Sequence, residues 1–166
     1  MRQGQIGRVE TLASGPVTRH AGGRLTIATP GQGFTDFTEA VAGFVRDSGV
    51  THGLATVFCR HTSASLTIQE NADPDVQRDL LTALDSLAPR HGAYVHGSEG
   101  PDDMPAHIRT MLSDSGLVIP VAGGRLGLGT WQGIYLIEHR DRPHRREILL
   151  GVVGADVRNK QEHTRP

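Results

Sequence analysis

The sequence has little of several features that define common classes of protein. It contains one cysteine, Cys59, among 166 residues, so no disulfide can form within the chain and packing must hold the fold together. No stretch approaches the roughly 18 to 20 consecutive apolar residues of a membrane-spanning helix, and residues 1–10 lack the apolar core of a signal peptide. These absences predict a cytoplasmic protein with no membrane partner.

A strong net charge is also absent. Lysine and arginine number 17 against 18 aspartate and glutamate residues, so the chain lacks the electrostatic footprint of a nucleic-acid-binding protein. Aromatic residues make up only 4% of the sequence, which predicts a modest core that an interface between copies would help to complete. One local concentration of basic residues is interpreted as a solvated turn, and it comprises Arg140, Arg142, Arg145 and Arg146.

The length and the apolar spacing predict a single α+β domain that spans residues 1–166, with a core over about 5–154 and a short flexible C-terminal tail. Two main helices and one shorter helix are expected. The first has Asp36 as its N-cap and stops at Gly49, the second runs from Pro74 to Leu87 with Asp73 as its N-cap, and the third begins near Asp103 and ends at Gly116. In the third helix, the residues expected to face the core are Met104, Ile108, Met111 and Leu112.

Short apolar runs between turn signals predict the strands. They cover 5–12, 24–29, 54–60, 65–68, 117–121, 125–128, 133–138 and 147–153, with a turn-rich stretch over 14–23. The order of strands and helices has no regular βαβ alternation, so mixed or antiparallel sheet layers are favoured over a doubly wound fold.

The end of the strand at 54–60 carries residues that could do chemistry. His61 is suited to be a metal ligand or a proton carrier, and it is equally suited to be a hydrogen-bonded histidine that closes a strand. A nucleophilic pair of Cys59 and His61 is disfavoured, because two side chains two residues apart on a strand do not by themselves orient a base at a thiol.

A second group of candidate residues lies between His96 and His107. Glu99 is in a loop bounded by glycine and proline, and Asp103 and His107 share one face if the segment is helical. Imidazole suits zinc and related ions, whereas carboxylate also suits magnesium, so the group predicts a site for a divalent cation. The alternative is that Asp102 or Asp103 caps a helix and that the histidines lie at the surface.

A third group follows the glycines at 123–129. A strand-like run follows these glycines where a nucleotide-binding loop would be followed by a helix, so a dinucleotide or P-loop site is rejected. Thr130 and Gln132 could offer hydrogen bonds to a ligand, and Trp131 could offer a flat apolar wall. The alternative is a bulged strand with a structural tryptophan.

Four motifs together resemble the YjbQ family, also called the secondary thiamine-phosphate synthase family. They are His-Thr-Ser-Ala-Ser-Leu-Thr-Ile at 61–68, Glu-Asn-Ala-Asp-Pro-Asp-Val at 70–76, Glu-Gly-Pro-Asp-Asp-Met-Pro-Ala-His-Ile-Arg at 99–109, and Leu-Gly-Thr-Trp-Gln-Gly-Ile at 128–134. The resemblance covers about residues 14–154. It implies an α+β fold, a homotrimer, and a thiamine-phosphate synthase activity that need not be the physiological task.

The resemblance carries the polar motif positions of the family onto this chain. These are His61, Thr62, Glu70, Asn71, Asp73, Glu99, Asp103, His107, Thr130 and Gln132. Arg109 stands where a lysine is common in the family. The positive charge is kept, but a planar guanidinium replaces a compact ammonium. His96 is less firmly tied to a motif.

The implied reaction joins a thiazole phosphate to a pyrimidinylmethyl diphosphate and releases diphosphate. A divalent ion, zinc or magnesium, held by His61, Glu99, Asp103 and His107 would neutralise the leaving group, and His61, Asp103 and Arg109 are the expected catalytic residues. The expected contacts to the phosphorylated substrate are Thr62, Ser63, Glu70, Asn71, Thr130, Trp131 and Gln132. The alternatives are a metal-dependent hydrolase of a small phosphorylated substrate, a trimeric protein that binds a metabolite or metal without turnover, and an interaction protein with a purely structural polar cluster.

Overall fold

A computed structural model describes residues 7–156 of the chain. Its strands are Arg19–Thr29 (β1), Gly33–Asp36 (β2), His52–Cys59 (β3), Ala64–Glu70 (β4), Gly116–Ala122 (β5), Arg125–Leu126 (β6), Gln132–Glu138 (β7) and His144–Ala155 (β8). Its helices are Thr38–Ser48 (α1), Pro74–Leu87 (α2) and Asp103–Leu112 (α3). None of these three helices has the length and apolar character that crossing a membrane requires.

The strands form two antiparallel sheets, which confirms the α+β prediction. The larger sheet has the order β1-β8-β3-β5-β6 and the smaller has the order β2-β7-β4. The main buried cluster takes side chains from both sheets and from α1, including Val41, Val57, Leu66, Ile134 and Ile148. Helices α2 and α3 contact β2 and β4 of the smaller sheet. A second, smaller buried cluster packs α1 against the larger sheet, so apolar packing holds the fold together without any disulfide.

Local sequence signals account for the ends of the first two helices. The Asp73 carboxylate accepts a hydrogen bond from the backbone N–H of Asp75 at 2.9 Å, so α2 begins at Pro74 as predicted. Helix α1 begins at Thr38, one residue later than predicted, because Asp36 ends β2 and Phe37 is the N-cap, although the Asp36 carboxylate still accepts from the Thr38 backbone N–H. Gly49 ends α1 with a φ of 68°, a left-handed conformation that glycine adopts without steric cost.

One strand prediction near the N-terminus is wrong, and the strand predicted at 24–29 is confirmed but begins earlier. Residues 7–12, the described part of the predicted strand 5–12, are exposed and form no strand, because no neighbouring strand pairs with them. Strand β1 begins at Arg19, inside the stretch predicted as turn, and pairs with β8 from there on. Gly23 is needed within this strand because a Cβ atom there would lie 2.8 Å from the Phe44 ring of α1. The predicted C-terminal tail lies outside the described residues.

The prediction of which face of α3 is buried is wrong in part, since of its four residues only Met104 and Ile108 are half-buried. The buried residues of this helix are Asp103, Pro105, Ala106 and Arg109. Met111 and Leu112, which were expected in the core, are exposed. Apolar periodicity failed here because partners elsewhere in the fold satisfy the two inward-facing charged side chains.

The smaller sheet determines where the motif residues lie. Strands β4 and β7 run antiparallel, so Ala64 pairs with Glu138 at one end and Glu70 pairs with Gln132 at the other. Six residue steps separate the two ends of β4, or about 20 Å at about 3.3 Å per residue. At one end of the sheet lie the residues just before β4 and just after β7. At the other end lie the residues just after β4 and just before β7.

Candidate metal centre

A cluster of two histidines and one aspartate lies at the first turn of α3. One ligand atom from each of His96, Asp103 and His107 lies within 4.8 Å of the others, and we call these residues the His-Asp-His cluster. The Asp103 Oδ2 atom is 2.7 Å from His96 Nε2 and 3.6 Å from His107 Nε2. Asp103 and His107 lie one helical turn apart, as their spacing predicted, and the loop before α3 brings in His96.

The hydrogen bonds of His107 determine which of its ring nitrogens carries the proton. Its Nδ1 atom lies 2.9 Å from the carbonyl oxygen of Thr62. A carbonyl can only accept, so Nδ1 is the donor, and Nε2 is the ring nitrogen on the side of Asp103 that can present a lone pair to an ion. A histidine that donates one ring N–H to a backbone carbonyl and presents the other nitrogen is the usual arrangement at protein metal sites. Thr62 therefore contributes through its backbone, whereas its side chain was predicted to contact substrate.

The buried carboxylate of Asp103 is held by Arg140. Asp103 is only 2% exposed, and its Oδ1 atom accepts a hydrogen bond from Arg140 Nη1. Arg140 also donates from Nε to Asp102 Oδ2 at 3.0 Å and from Nη2 to the carbonyl oxygen of Glu99 at 2.8 Å. Arg140 thus joins the end of β7 to the loop and the first turn that carry the cluster.

The interpretation of the basic segment as a solvated turn is therefore wrong for two of its four arginines. The Arg140 side chain is 12% exposed, and Arg146 is buried in an ion pair with Glu138. Arg142 and Arg145 are exposed as predicted. Spacing along the chain could not separate the four residues, because the alternation of β8 turns Arg146 inward and Arg145 outward.

The charges around the cluster leave it receptive to a cation. Burial of the Asp102 carboxyl favours a higher pKa, but hydrogen bonds from the Asp141 backbone and from Arg140 hold its pKa below the ordinary value. The Glu99 carboxylate is mostly exposed, 3.6 Å from Arg140 Nη1, and is not a member of the cluster. Three carboxylates therefore surround one guanidinium beside the two imidazoles, and the carboxylates outnumber the guanidinium.

His61 lies outside the cluster. Its Nε2 atom accepts a hydrogen bond from the backbone N–H of Glu147 at 2.8 Å, the kind of strand-end contact that was the alternative to a ligand role. Burial and the nearby Arg146 guanidinium lower the pKa of His61, so it is neutral at pH 7. The neighbouring Cys59 is buried and burial raises the pKa of its thiol, which argues further against a nucleophilic pair. The Ser63 hydroxyl accepts from Arg146 at 3.2 Å.

Arg109 does not face the cluster either. It is 2% exposed, and its Nη2 atom lies 2.9 Å from Asp85 Oδ1 and donates to the carbonyl oxygen of Ala88 at 3.0 Å. These contacts attach α3 to the end of α2. The cation beside the cluster is Arg140, which the spacing of motif residues along the chain did not identify.

The sequence reasoning also missed a buried polar network beside the cluster. The Glu138 carboxylate accepts from Arg146, from the Thr29 hydroxyl and from the backbone of Arg140. His139 is 1% exposed with its Nε2 atom 2.8 Å from the Ser65 hydroxyl, and burial lowers its pKa to about 4. The available signal was weak, namely a glutamate and a histidine that directly follow an apolar run.

The remaining motif residues lie at the opposite end of the smaller sheet. Residues 129–132 form a tight turn, which we call the tryptophan loop, and the Gln132 side chain closes it by accepting from the Gly129 backbone N–H at 2.8 Å. The Asn71 backbone N–H donates to the carbonyl oxygen of Trp131 at 3.1 Å. The Trp131 side chain is exposed, and it lines an open hollow together with Glu70 and Gln132. Thr130 is exposed beside it.

The single pocket predicted from the sequence does not form within one chain. The cluster contacts Thr62, just before β4, whereas the tryptophan loop lies beside Glu70 at the far end of the same strand, about 20 Å away. Asp73, which was grouped with the motif residues, is the N-cap of α2. Antiparallel pairing of β4 with β7 separates motifs that are close in the printed sequence.

The fold and the cluster define an α+β protein with a partly open site of two histidines and one carboxylate. Residues 23–155 match the family described as UPF0047 protein YjbQ-like, and the chain belongs to this family. It is 55% identical to UPF0047 protein sll1880 of Synechocystis over 131 residues. The match covers 78% of this chain and 89% of that protein. It is 40% identical to UPF0047 protein YjbQ of Escherichia coli O157:H7, over 78% of this chain and 95% of that one.

A solved structure gives the same assignment. The crystal structure of an uncharacterised conserved protein of the YjbQ/UPF0047 family from Clostridium acetobutylicum superposes with a TM-score of 0.70 at 44% identity. The match covers 80% of this chain and 98% of that one. Membership of the family establishes the fold, and it leaves the reaction to be argued from the site.

Proposed function

We propose that this protein is an enzyme that holds a divalent transition-metal ion at His96, Asp103 and His107 and acts on a small phosphorylated molecule. The observation that carries the proposal is the convergence of two imidazoles and a buried carboxylate at a partly open surface. Two nitrogen ligands and one oxygen ligand with an open position are the donor set of many catalytic zinc sites. Magnesium prefers oxygen ligands alone, so zinc or a similar ion fits this donor set better than magnesium does.

The spacing of the ligand atoms supports the same ion. Two ligands of one tetrahedral zinc ion lie about 3.3 Å apart, since each bond is about 2.0 Å long. The 3.6 Å between His107 Nε2 and Asp103 Oδ2 is close to this value. His96 Nε2 is hydrogen-bonded to Asp103 at 2.7 Å and must move outward to admit an ion, which its 46% exposed side chain on a loop permits.

The surroundings of the cluster indicate what a bound ion would contribute. Arg140 is committed to Asp102 and Asp103, and Arg90 is paired with Asp141. Neither guanidinium is available to a substrate phosphate, so the positive charge for an anionic group would come from the metal. Neutralisation of a leaving diphosphate is one task that such a charge performs.

The reaction that we propose is the thiamine-phosphate synthase reaction that the resemblance to the YjbQ family implies. A ring nitrogen of the thiazole phosphate forms a bond to the methylene carbon of the pyrimidine, and the carbon–oxygen bond to diphosphate breaks. The metal would stabilise the departing diphosphate. Hydrolysis of a small phosphate ester is the second candidate, because the open position beside the cluster could also hold a water molecule for attack.

The same proposal includes a homotrimer in which the tryptophan loop of one copy approaches the cluster of another. Within one chain these regions are about 20 Å apart, so they can share a substrate only across an interface between copies. Apolar surface near the cluster supports such an interface, since Met111 of α3 is 85% exposed and no side chain of α2 is fully buried. A cytoplasmic location also belongs to the proposal, because a reducing compartment suits one buried free thiol.

The metal site is tested by calorimetric titration of the metal-free protein with zinc and with magnesium. We expect one zinc ion per chain and no comparable uptake of magnesium. The substitutions Asp103→Asn and His107→Ala should each weaken zinc binding at least about 100-fold. Loss of a mere hydrogen-bond partner of a ligand already lowers metal affinity about 10-fold to 100-fold, and these residues are ligands themselves. The matched controls are His91→Ala and Asp79→Asn, which alter an exposed histidine and an exposed carboxylate and should bind as the wild type does. Folded cluster variants with wild-type affinity would refute the site.

The reaction is tested by product analysis with the zinc-loaded protein. Thiamine phosphate and diphosphate formed from the two precursors would support the transferase. Release of phosphate from single substrates would support the hydrolase, and tight binding of a phosphorylated compound without turnover would refute both.

Co-expression of His107→Ala with Gln132→Ala subunits tests the shared site, since mixed trimers regain some intact sites only if the two regions meet between copies. Sedimentation of the protein as a monomer at micromolar concentration would refute the proposed trimer.

A further inference from the structure

The two oxygens of the Asp103 carboxylate have separate partners. Oδ1 accepts a hydrogen bond from Arg140, and Oδ2 faces His96 and His107. A carboxylate can bind a metal ion through one oxygen or through both. In this structure only one of the two oxygens is directed toward the imidazoles.

The position of Arg140 is determined by rigid parts of the fold. It directly follows His139 at the end of the buried strand β7, and its backbone N–H donates to Glu138 Oε1 at 3.0 Å. Its guanidinium uses Nε, Nη1 and Nη2 on three different acceptors, which belong to Asp102, Asp103 and Glu99. A planar group bound to three separate acceptors cannot rotate without breaking at least one of these hydrogen bonds.

We infer that Arg140 is a positioning residue that makes Asp103 a one-oxygen ligand, and this inference rests on the proposed metal site. With Oδ1 occupied, an ion at the cluster receives His96, His107 and a single carboxylate oxygen, and a further position stays open for substrate. Without Arg140 the second oxygen is released and the ion takes both oxygens in addition to the ligand at the further position, so its coordination number rises from four to five. Arg140 thus keeps the coordination number low without touching the metal.

A purely structural role for Arg140 is the competing explanation. A buried carboxylate needs a charged partner, so loss of Arg140 would lower the stability of the protein whatever the metal does. Stability and metal affinity therefore cannot separate the two roles, since both explanations predict a decrease. The coordination geometry of the bound ion can separate them, because only the positioning role predicts a change from one carboxylate oxygen to two.

Cobalt(II) is the probe, because its visible absorption is strong in four-coordinate sites and weak in five- or six-coordinate sites. The wild type and the variants Arg140→Gln, Arg140→Ala and Arg140→Lys are saturated with cobalt and compared at equal occupancy. The control is Arg142→Ala, an exposed arginine in the same turn. Circular dichroism confirms that each variant is folded, and Arg140→Gln keeps part of the side-chain volume in case Arg140→Ala does not fold.

We expect Arg140→Gln and Arg140→Ala to bind cobalt about 10-fold to 100-fold more weakly and to lose the four-coordinate absorption at saturation. Arg140→Lys should restore the wild-type spectrum, because an ammonium can occupy Oδ1 even though it cannot also reach Asp102 and Glu99. Neutral variants that keep the wild-type spectrum at full occupancy would overturn the inference and leave the metal site intact. A wild-type protein that binds no cobalt would instead show that the proposed function has failed.

Discussion

The two ends of the smaller sheet differ in how their polar groups are satisfied. At the cluster end, Asp103, Glu138 and Arg146 are buried and each charge meets an opposite charge from another segment of the chain. At the tryptophan-loop end, the Gln132 side chain and the Asn71 backbone hydrogen-bond to backbone atoms of the loop, and the indole of Trp131 is exposed. One end depends on long-range ion pairs and the other on hydrogen bonds to the loop backbone.

This difference indicates what each end can recognise. Buried charges are costly unless they are paired, so the ion pairs at the cluster end hold Asp103 in place, and under the proposed function Asp103 and the two histidines would bind a cation. The tryptophan loop presents a flat apolar surface beside backbone-bonded polar groups, which suits stacking of a heterocycle. Under the proposed function the two ends would contribute the metal and the ring contacts of one substrate, each from a different copy.

The largest expected contrast between the ends is in stability. Arg146→Ala should lower the free energy of unfolding by about 3 to 5 kcal/mol, because it leaves the Glu138 carboxylate buried without its cation. Trp131→Ala at the other end should change it by less than about 0.5 kcal/mol, since the side chain is exposed. Urea denaturation of both variants measures the contrast, with Arg145→Ala as the exposed arginine control. Equal losses for Arg146→Ala and Arg145→Ala would contradict it.

The next contrast is in the dependence of stability on pH. Burial, followed by the nearby Arg109 charge, lowers the pKa of His139 from 6.5 to about 4 in the folded protein. A lowered pKa means that the unfolded chain binds the proton first as the pH falls. The stability that neutral His139 contributes is therefore complete above pH 6.5 and is lost as the pH falls toward 4. The difference corresponds to about 3 kcal/mol.

Urea denaturation of the metal-free protein between pH 7 and pH 4 measures this effect. His139→Gln removes the titrating group and keeps a partner for the Ser65 hydroxyl, so it should flatten the pH dependence even though it lowers stability at pH 7. Trp131→Ala at the other end has no such role, and its pH dependence should match that of the wild type. A His139→Gln variant that loses stability as steeply as the wild type would assign the dependence to other groups.

Metal should stabilise the protein only through the cluster end. At a free zinc concentration of 100 times the dissociation constant, the native state gains about 2.7 kcal/mol, seen as a rise in melting temperature. Gln132→Ala should keep this gain, because its side chain lies at the opposite end of β4. Asp103→Asn should lose it. A zinc-induced rise that survives in Asp103→Asn would place the ion elsewhere.

The smallest expected effect concerns the tryptophan loop itself. Gln132→Ala removes the hydrogen bond from the Gly129 backbone to the side chain, and we expect a loss of about 0.5 to 1.5 kcal/mol in the free energy of unfolding. Gln132→Glu keeps an acceptor at the same position and should recover most of the loss. If both substitutions lower the free energy of unfolding by the same amount, the hydrogen bond from Gly129 does not stabilise the loop.

Local patterns predicted the elements whose signals lie within one stretch of chain. Helix α2 has the bounds that its Asp73 cap, its first-turn proline and its apolar spacing indicate. Asp103 and His107 lie together because four residues are about one helical turn. The predictions failed where distant residues decide the outcome, as for β1 at Arg19 and for the buried face of α3.

The candidate site shows the same division. His96 had the weakest tie to a motif and is a member of the cluster, whereas Glu99 and His61 are not. Arg140 was assigned to solvent and is bound to Asp103. Residue type and spacing identify side chains that are capable of chemistry. Which of them meet depends on how loops and strand ends are brought together.

By itself the sequence determined the class of fold, the helix that its own caps delimit, and the histidine and aspartate that one helical turn places side by side, because each of these depends on contacts between near neighbours. Only the tertiary structure decided that Arg140 and His96 join Asp103 and that the tryptophan loop lies about 20 Å away along β4. The physical reason is that strand pairing and the burial of charge are settled between segments far apart in the chain, where spacing along the sequence carries no information about distance.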